Sequence, residues 1–276
     1  MPIQLLSTDF DGTVFAEFEQ PPVPRELQDL IAQLQAAGVI WLINTGRDMA
    51  ALMECLGRGH LVVRPDYLVL VEREIYRRED GRYVAVEDWN QRCRQDHEKL
   101  FQCVRRDLPA LQHWINQRFD ATVYEDLYSP LCMIAANSQD ADTIVDYLDA
   151  YARSVPGLSI VRNDVYARFS HSAYSKGTAL GEIQRLLDLS PESTLAAGDH
   201  YNDLPMLSAL YARHLLAPAN AIEPVRDAVL SQGGFVSQAL CGQGVLDGLR
   251  RLLDPSGGRT PTLAGARRNS RGPSSK

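Results

Sequence analysis

The chain has 276 residues, 45% of them apolar, and a net charge of −7, enough for one large domain or two modest ones around a full core. No run approaches the roughly 20 apolar residues of a membrane span, and the start lacks the basic and apolar regions of a secretory signal. The five cysteines are scattered, odd in number and never paired as Cys-x-x-Cys, which argues against a disulfide framework or zinc site and fits a cytoplasmic protein.

In chain order, an apolar run from Ile3 reads as a short buried strand ending in Asp9-Phe10-Asp11-Gly12-Thr13. Residues i and i+2 at a strand end point to one side, so Asp9 and Asp11 converge, and two such acids call for a cation or a shared proton between them. Pro21 to Pro24 form a stiff connector. Leu27, Leu30, Ile31 and Leu34 then mark an amphipathic helix stopped at Gly38. Val39 to Ile43 is an unbroken apolar strand, completing a βαβ unit of the kind that builds parallel sheets. It ends in Asn44-Thr45-Gly46-Arg47, with Asp48 as a helix cap. A hydroxyl, exposed backbone N–H groups and an Arg at a strand's C-terminal end make an anion-binding corner. Tyr67 to Val71 is another core strand.

From about residue 79 to 163 the βαβ rhythm is lost. Trp89 to Leu100 reads as a polar helix with few buried positions, and Val104 to Phe119 as a second, interrupted by Pro109. Short strands at 121–124, 132–135, 158–162 and 165–169 and a helix at 140–153 complete an inserted α+β domain. The rhythm then resumes over residues 164–254. Lys176-Gly177 opens a helix, where a cation opposes the macrodipole and needs a partner. A small-residue strand, Ser193 to Ala197, ends in Gly198-Asp199-His200-Tyr201-Asn202-Asp203. The Asp and Asn oxygens there suit a hard cation such as Mg²⁺. Residues 255–276 carry five basic residues and no acid, leaving 23 basic against 35 acidic residues, a net −12, for the rest. That composition reads as a disordered basic tail on an acidic body, which argues against nucleic-acid and membrane partners.

The four motifs in this order, Asp-x-Asp-Gly-Thr, Asn-Thr-Gly-Arg, Ser-Lys-Gly and Gly-Asp-x-x-Asn-Asp, resemble those of the haloacid dehalogenase superfamily. The resemblance covers the chain to about residue 254. It implies an α/β, Rossmann-like parallel sheet with helices on both faces (residues 1–78 and 164–254) and an inserted α+β cap (79–163). A cap placed between the second and third motifs is similar to the branch of Cof-type sugar phosphatases, sucrose-phosphate phosphatase and phosphomannomutase. Val71 to Tyr76 is closer to the sucrose-phosphatase side, since the Asn-Gly usual in Cof-type chains is absent.

By that resemblance the chain is a Mg²⁺-dependent phosphatase of a small phosphorylated metabolite, a sugar phosphate by preference, acting as a monomer or homodimer. Asp9 is the nucleophile that becomes an aspartyl-phosphate, Asp11 the acid and then base, and Lys176 the cation that offsets Asp9 and the phosphate. Thr45, Gly46 and Asn202 hold phosphoryl oxygens. Mg²⁺ is ligated by Asp9, the Asp11 carbonyl and Asp199, with Asp203 direct or behind them. Arg47, Arg73 and His171 are candidates for leaving-group contacts. A phosphomannomutase-like phosphosugar mutase and a non-catalytic phospho-ligand sensor remain as alternatives.

Overall fold

In the computed structural model residues 3–253 are described; the basic tail expected from Pro255 lies outside them. In chain order β1 (Leu5–Thr8), α1 (Arg25–Ala36), β2 (Ile40–Asn44), α2 (Met49–Arg58) and β3 (Tyr67–Leu70) alternate, followed by a hairpin of β4 (Glu74–Glu79) and β5 (Arg82–Ala85). Next come α3 (Glu87–Val104), α4 (Leu108–Asn116), β6 (Ala121–Tyr124), β7 (Cys132–Ala135), α5 (Ser138–Ala152), β8 (Leu158–Asn163) and β9 (Tyr166–His171). The chain closes with α6 (Lys176–Leu187), β10 (Thr194–Ala197), β11 (His214–Ala217), α7 (Glu223–Ser231), β12 (Phe235–Val236) and α8 (Cys241–Leu253).

One eight-stranded sheet runs β12-β11-β10-β1-β2-β3-β4-β5, and a second, four-stranded one runs β6-β7-β9-β8. From β12 to β3 all pairings are parallel, and β1, β3 and β10 are buried along their whole length. Helices cover both faces, giving two apolar clusters, one around Leu6, Trp41 and Leu246 and one around Leu5, Leu42 and Leu180. Adjacent residues of β1 thus face opposite layers, as the period of a strand demands. The expected α/β core with an inserted α+β cap is what forms.

Both expected domain boundaries move. Asp80 and Gly81 have positive φ, the backbone of a tight hairpin turn. The hairpin pairs antiparallel with β3, so the core sheet extends past residue 78 to Ala85. At the other end β9 pairs with β7 and β8, so the cap sheet reaches His171 instead of ending at 163. Pro109 starts α4 in its first turn instead of interrupting a longer helix.

α3 also differs from the polar helix expected. It buries Trp89, Asn90, Cys93, His97, Leu100 and Val104, a stripe at helical spacing in which Asn, Cys and His stand where aliphatic residues would have revealed it. Trp89 and Cys93 pack into the core, Leu100 and Val104 into the cap, so one helix braces both bodies. At its middle His97 donates from Nδ1 to the Cys93 carbonyl at 2.7 Å and accepts the His171 N–H at Nε2 at 3.1 Å. Burial, with Arg73 adding repulsion, pushes this imidazole from 6.5 down to about 3. Unfolded chains therefore bind a proton that the folded protein refuses between these values. This part of the stability is complete above the unfolded value and lost as pH falls toward the folded one. His97→Gln is expected to flatten the dependence of the urea midpoint on pH across that window. A slope equal to wild type would remove His97 from the acid response.

Candidate active site

The site lies at the C-terminal ends of the parallel strands. The chain leaves β1 toward β2 and returns later to β10 on the other side, which opens a crevice at the point where strand order reverses. The Asp9 N–H donates to the Ala197 carbonyl at 2.8 Å, continuing the ladder one residue past β1. Phe10 points into the core and stacks on Phe15, ring centroids 4.7 Å apart, which fixes Asp9 and Asp11 on the opposite side. Gly12 has φ +72°, and a Cβ there would collide with the Asp199 carboxylate, so the turn admits only glycine.

Asp199 is oriented at both oxygens. Thr13 Oγ1 donates to Oδ1 at 2.9 Å, and Asn220 Nδ2 donates to Oδ2 at 3.2 Å while also reaching the Gly12 carbonyl at 2.8 Å. Asp203 is fully committed. Its Oδ2 accepts the Asp199 and His200 N–H groups, each at 2.9 Å, and its Oδ1 faces Lys176.

Lys176 is the first residue of α6, whose start is closed by a reciprocal Ser175–Thr178 capping box. The side chain is fully buried, with Nζ 2.6 Å from Asp9 Oδ1 and 2.6 Å from Asp203 Oδ1. Burial works against its charge, but Asp203 and Asp9 outweigh it and hold the ammonium above its usual range. The carboxylates still outnumber the cation. Burial, then repulsion from Asp203, drives the Asp9 carboxyl up despite Lys176 and lifts Asp199 to about 7. Carboxylate oxygens of Asp9, Asp199 and Asp203 lie within 4.8 Å of one another. An all-oxygen, electron-rich cluster with surplus negative charge fits a hard divalent cation. The Asp11 side chain is not part of it.

Asp11 instead faces Arg47, whose Nε and Nη2 reach its two oxygens at 2.7 Å each. Hydrogen bonding to Asp11 raises the guanidinium's pKa against the effect of burial. Arg47 is held in turn by its own N–H, which donates to Thr45 Oγ1 at 3.1 Å. Thr45, Gly46, Arg47 and Asn202 all line a cavity of about 460 Å³ that also takes in Asp9, Asp11 and Asp199. Of the residues given nucleophile, proton-transfer, phosphoryl or metal roles, all but Lys176 and Asp203 reach that cavity, and those two are buried beside Asp9 and Asp199. A larger hollow of about 550 Å³ beside Phe15, Arg25 and His60 contains none of them.

Arg73 and His171 do not line the cavity. The Arg73 guanidinium is buried between core and cap, donating to the Tyr128 carbonyl at 2.8 Å, and His171 packs against His97 and Tyr174. The cavity wall instead holds two residues that the motifs do not contain as site positions, Glu72 and Arg168. Glu72 Oε1 accepts from Asn202 Nδ2 at 3.1 Å, and Arg168 Nη2 donates to the other oxygen and to the Val71 carbonyl, at 2.6 Å for the latter. Burial opposes ionisation of Glu72, but Arg168 and then Lys176 reverse it and hold the carboxyl below its ordinary value. The only signal for Arg168 in the sequence is an arginine between Ala167 and Phe169 in an otherwise buried strand.

A family model described as sucrose-6F-phosphate phosphohydrolase matches residues 2–252. The chain belongs to this family. Its fold is similar to that of the sucrose-phosphatase of Synechocystis sp. PCC6803, solved with sucrose and phosphate, at 20% identity, TM-score 0.68, over 91% of this chain and 98% of that one. The haloacid dehalogenase-like hydrolase yhjK of Bacillus subtilis is similar at 19% identity and TM-score 0.58, over 91% and 90% of the two chains. YxeH of Bacillus subtilis (strain 168) is 22% identical over 251 residues, 82% of this chain and 90% of that protein. The chain is thus a phosphatase of the haloacid dehalogenase superfamily. Among its described residues no helix is long and apolar enough to cross a membrane.

Removing the buried ammonium strands two carboxylates, so Lys176→Met of this phosphatase is expected to lower unfolding free energy by about 3–5 kcal/mol. Urea denaturation measures it, and a loss under about 1 kcal/mol would mean that the acids find compensation elsewhere.

Proposed function

We propose that this phosphatase hydrolyses the monophosphate ester of a small sugar through an aspartyl-phosphate on Asp9. The observation that carries the reading is the convergence of Asp9, Asp199 and Asp203 on one another, with Lys176 set among them. Asp9 stands at the cavity floor with Asp11 beside it, the spacing of a nucleophile and a separate proton carrier. Asp9 Oδ attacks phosphorus and the bond to the leaving oxygen breaks, while Asp11 delivers a proton to that oxygen. Asp11 then takes a proton from water, whose oxygen attacks phosphorus and frees Asp9 and inorganic phosphate.

Arg47 occupies both oxygens of Asp11 in the structure, so proton delivery requires that pair to open. The phosphoryl oxygens offer Arg47 another anion as they arrive. Thr45, the Gly46 N–H and Asn202 orient the phosphoryl group, and Lys176 offsets charge at the attacking oxygen. Asp9, Asp199 and the Asp11 carbonyl would hold a Mg²⁺, with Asp203 bracing them. When bound, it neutralises charge that the phosphate dianion brings to an acidic site. The cap covers the cavity with Asn163, Tyr166 and Arg168 and excludes water around the reacting group. Five free thiols support a cytoplasmic setting.

The choice of sugar phosphates is supported by the description of the family and by the sucrose and phosphate bound in the Synechocystis neighbour. Asp9→Asn is expected to cut release of phosphate from p-nitrophenyl phosphate by at least about 10³-fold. Appreciable residual turnover would remove Asp9 from the nucleophile's role. Excess chelator is expected to silence the wild-type enzyme and added Mg²⁺ to restore it, and full activity in chelator would sink the metal assignment.

A further inference from the structure

Around the cavity, each cation of the described residues already faces a carboxylate. Arg47 is paired with Asp11 and Arg168 with Glu72, while Lys176 beneath the floor is shared by Asp9 and Asp203. His200 lines the wall as an acceptor, taking the Asp164 and Tyr201 N–H groups at Nδ1 at 3.2 and 3.0 Å. No unpaired cation is left among these residues to receive a second anionic group on a substrate.

Glu72 is held in place with effort. Val71 and Glu72 both lie in the left-handed region, φ 45° and 62°, where glycine or asparagine is the ordinary choice and a β-branched residue is an outlier. Their N–H groups donate to the Arg47 and Thr45 carbonyls at 3.1 and 3.0 Å, clamping the turn to the loop that carries the phosphoryl donors. Strain of this kind persists where it serves a site. Its result is a buried carboxylate whose Oε1 is 2.8 Å from where a Cβ on Gly46 would stand. Arg168, 3% exposed, meets it from the cap, and its Nε has no protein partner. One side chain that only accepts thus stands beside one that only donates, the two halves of hydroxyl recognition.

Resting on the phosphatase reading above, we propose that the Glu72–Arg168 pair selects the leaving group. It accepts esters of uncharged, hydroxyl-rich alcohols and rejects those whose alcohol carries a second anion. Glu72 accepts from a substrate hydroxyl and Arg168 donates to another. A carboxylate or second phosphate meets Glu72 with no free cation to compensate, so the selectivity works by repulsion as well as attraction.

The test compares kcat/KM for uncharged sugar monophosphates, sucrose 6-phosphate and glucose 6-phosphate among them, with that for phosphoglycolate, a small phospho-carboxylate. Wild type is expected to favour its best sugar ester by about 100-fold or more. In Glu72→Gln the freed Arg168 takes the carboxylate, so KM for phosphoglycolate falls, KM for the sugar ester rises, and the ratio drops by about tenfold or more. Glu72→Gly deletes the carboxylate while relieving the left-handed backbone, so its ratio is expected to move the same way, and its urea midpoint checks that leaving the buried Arg168 unpaired has not cost the fold. Comparable turnover of phosphoglycolate by wild type, or a ratio unchanged in both variants, would overturn the pair's role. Failure of wild type to hydrolyse any of these or p-nitrophenyl phosphate overturns the phosphatase reading itself, and this inference with it.

Discussion

Three carboxylates around one fully buried ammonium set the terms for the rest of this structure. Asp9 follows β1 while Asp199 and Asp203 share the loop after β10, and their mutual repulsion in a buried crevice would expel at least one of them without Lys176. Asp203 has no oxygen to spare, with the ammonium on one and two backbone N–H groups on the other. That leaves Asp9 and Asp199 as the acids turned toward the cavity, with negative charge still in surplus. Surplus negative charge of this kind fits a cation.

The parallel sheet makes the crowding possible. Its central strands end at one edge, and the backbone ladder carries Asp9 past the end of β1 through a bond to Ala197. Phe10, locked on Phe15, keeps the acidic pair facing outward. Beside them Asn220 ties Asp199 to the Gly12 turn and, through its carbonyl oxygen, accepts the Cys241 N–H at the start of α8 at 2.7 Å. The loops of the candidate site are thus fixed to rigid elements, and the strain at Val71 and Glu72 is borne by a turn clamped on both sides.

The cap is joined to this core by buried polar contacts as well as by covalent links. Arg168 reaches from β9 to Glu72 and the Val71 carbonyl, Arg73 reaches from the core to the Tyr128 carbonyl, and His97 ties α3 to β9. Buried charge at such a junction contributes little net stability but fixes geometry, because each group has few alternative partners once water is excluded. The same contacts that seat the cap therefore also shape the wall of the cavity above Asp9.

The strand ends Asp9-x-Asp11, Thr45-Gly46-Arg47 and Asp199 to Asp203, the helix start at Lys176, and the α/β core with its inserted cap were legible from local pattern. Strand burial, helix periodicity and polar residues at strand ends are properties of short segments, so they survive in one dimension. What lay beyond reach were contacts between distant segments: the pairing of Asp11 with Arg47, the retreat of Arg73 and His171 from the cavity, and the meeting of Glu72 with Arg168 across the core–cap boundary. The domain limits at Ala85 and His171 belong with these, because strand pairing assigns a hairpin or an edge strand to its sheet and composition does not. The chemistry of this protein was written in its segments. The partners that direct that chemistry were chosen by the fold, since burial makes charge pairing obligatory and only tertiary structure decides what is buried together.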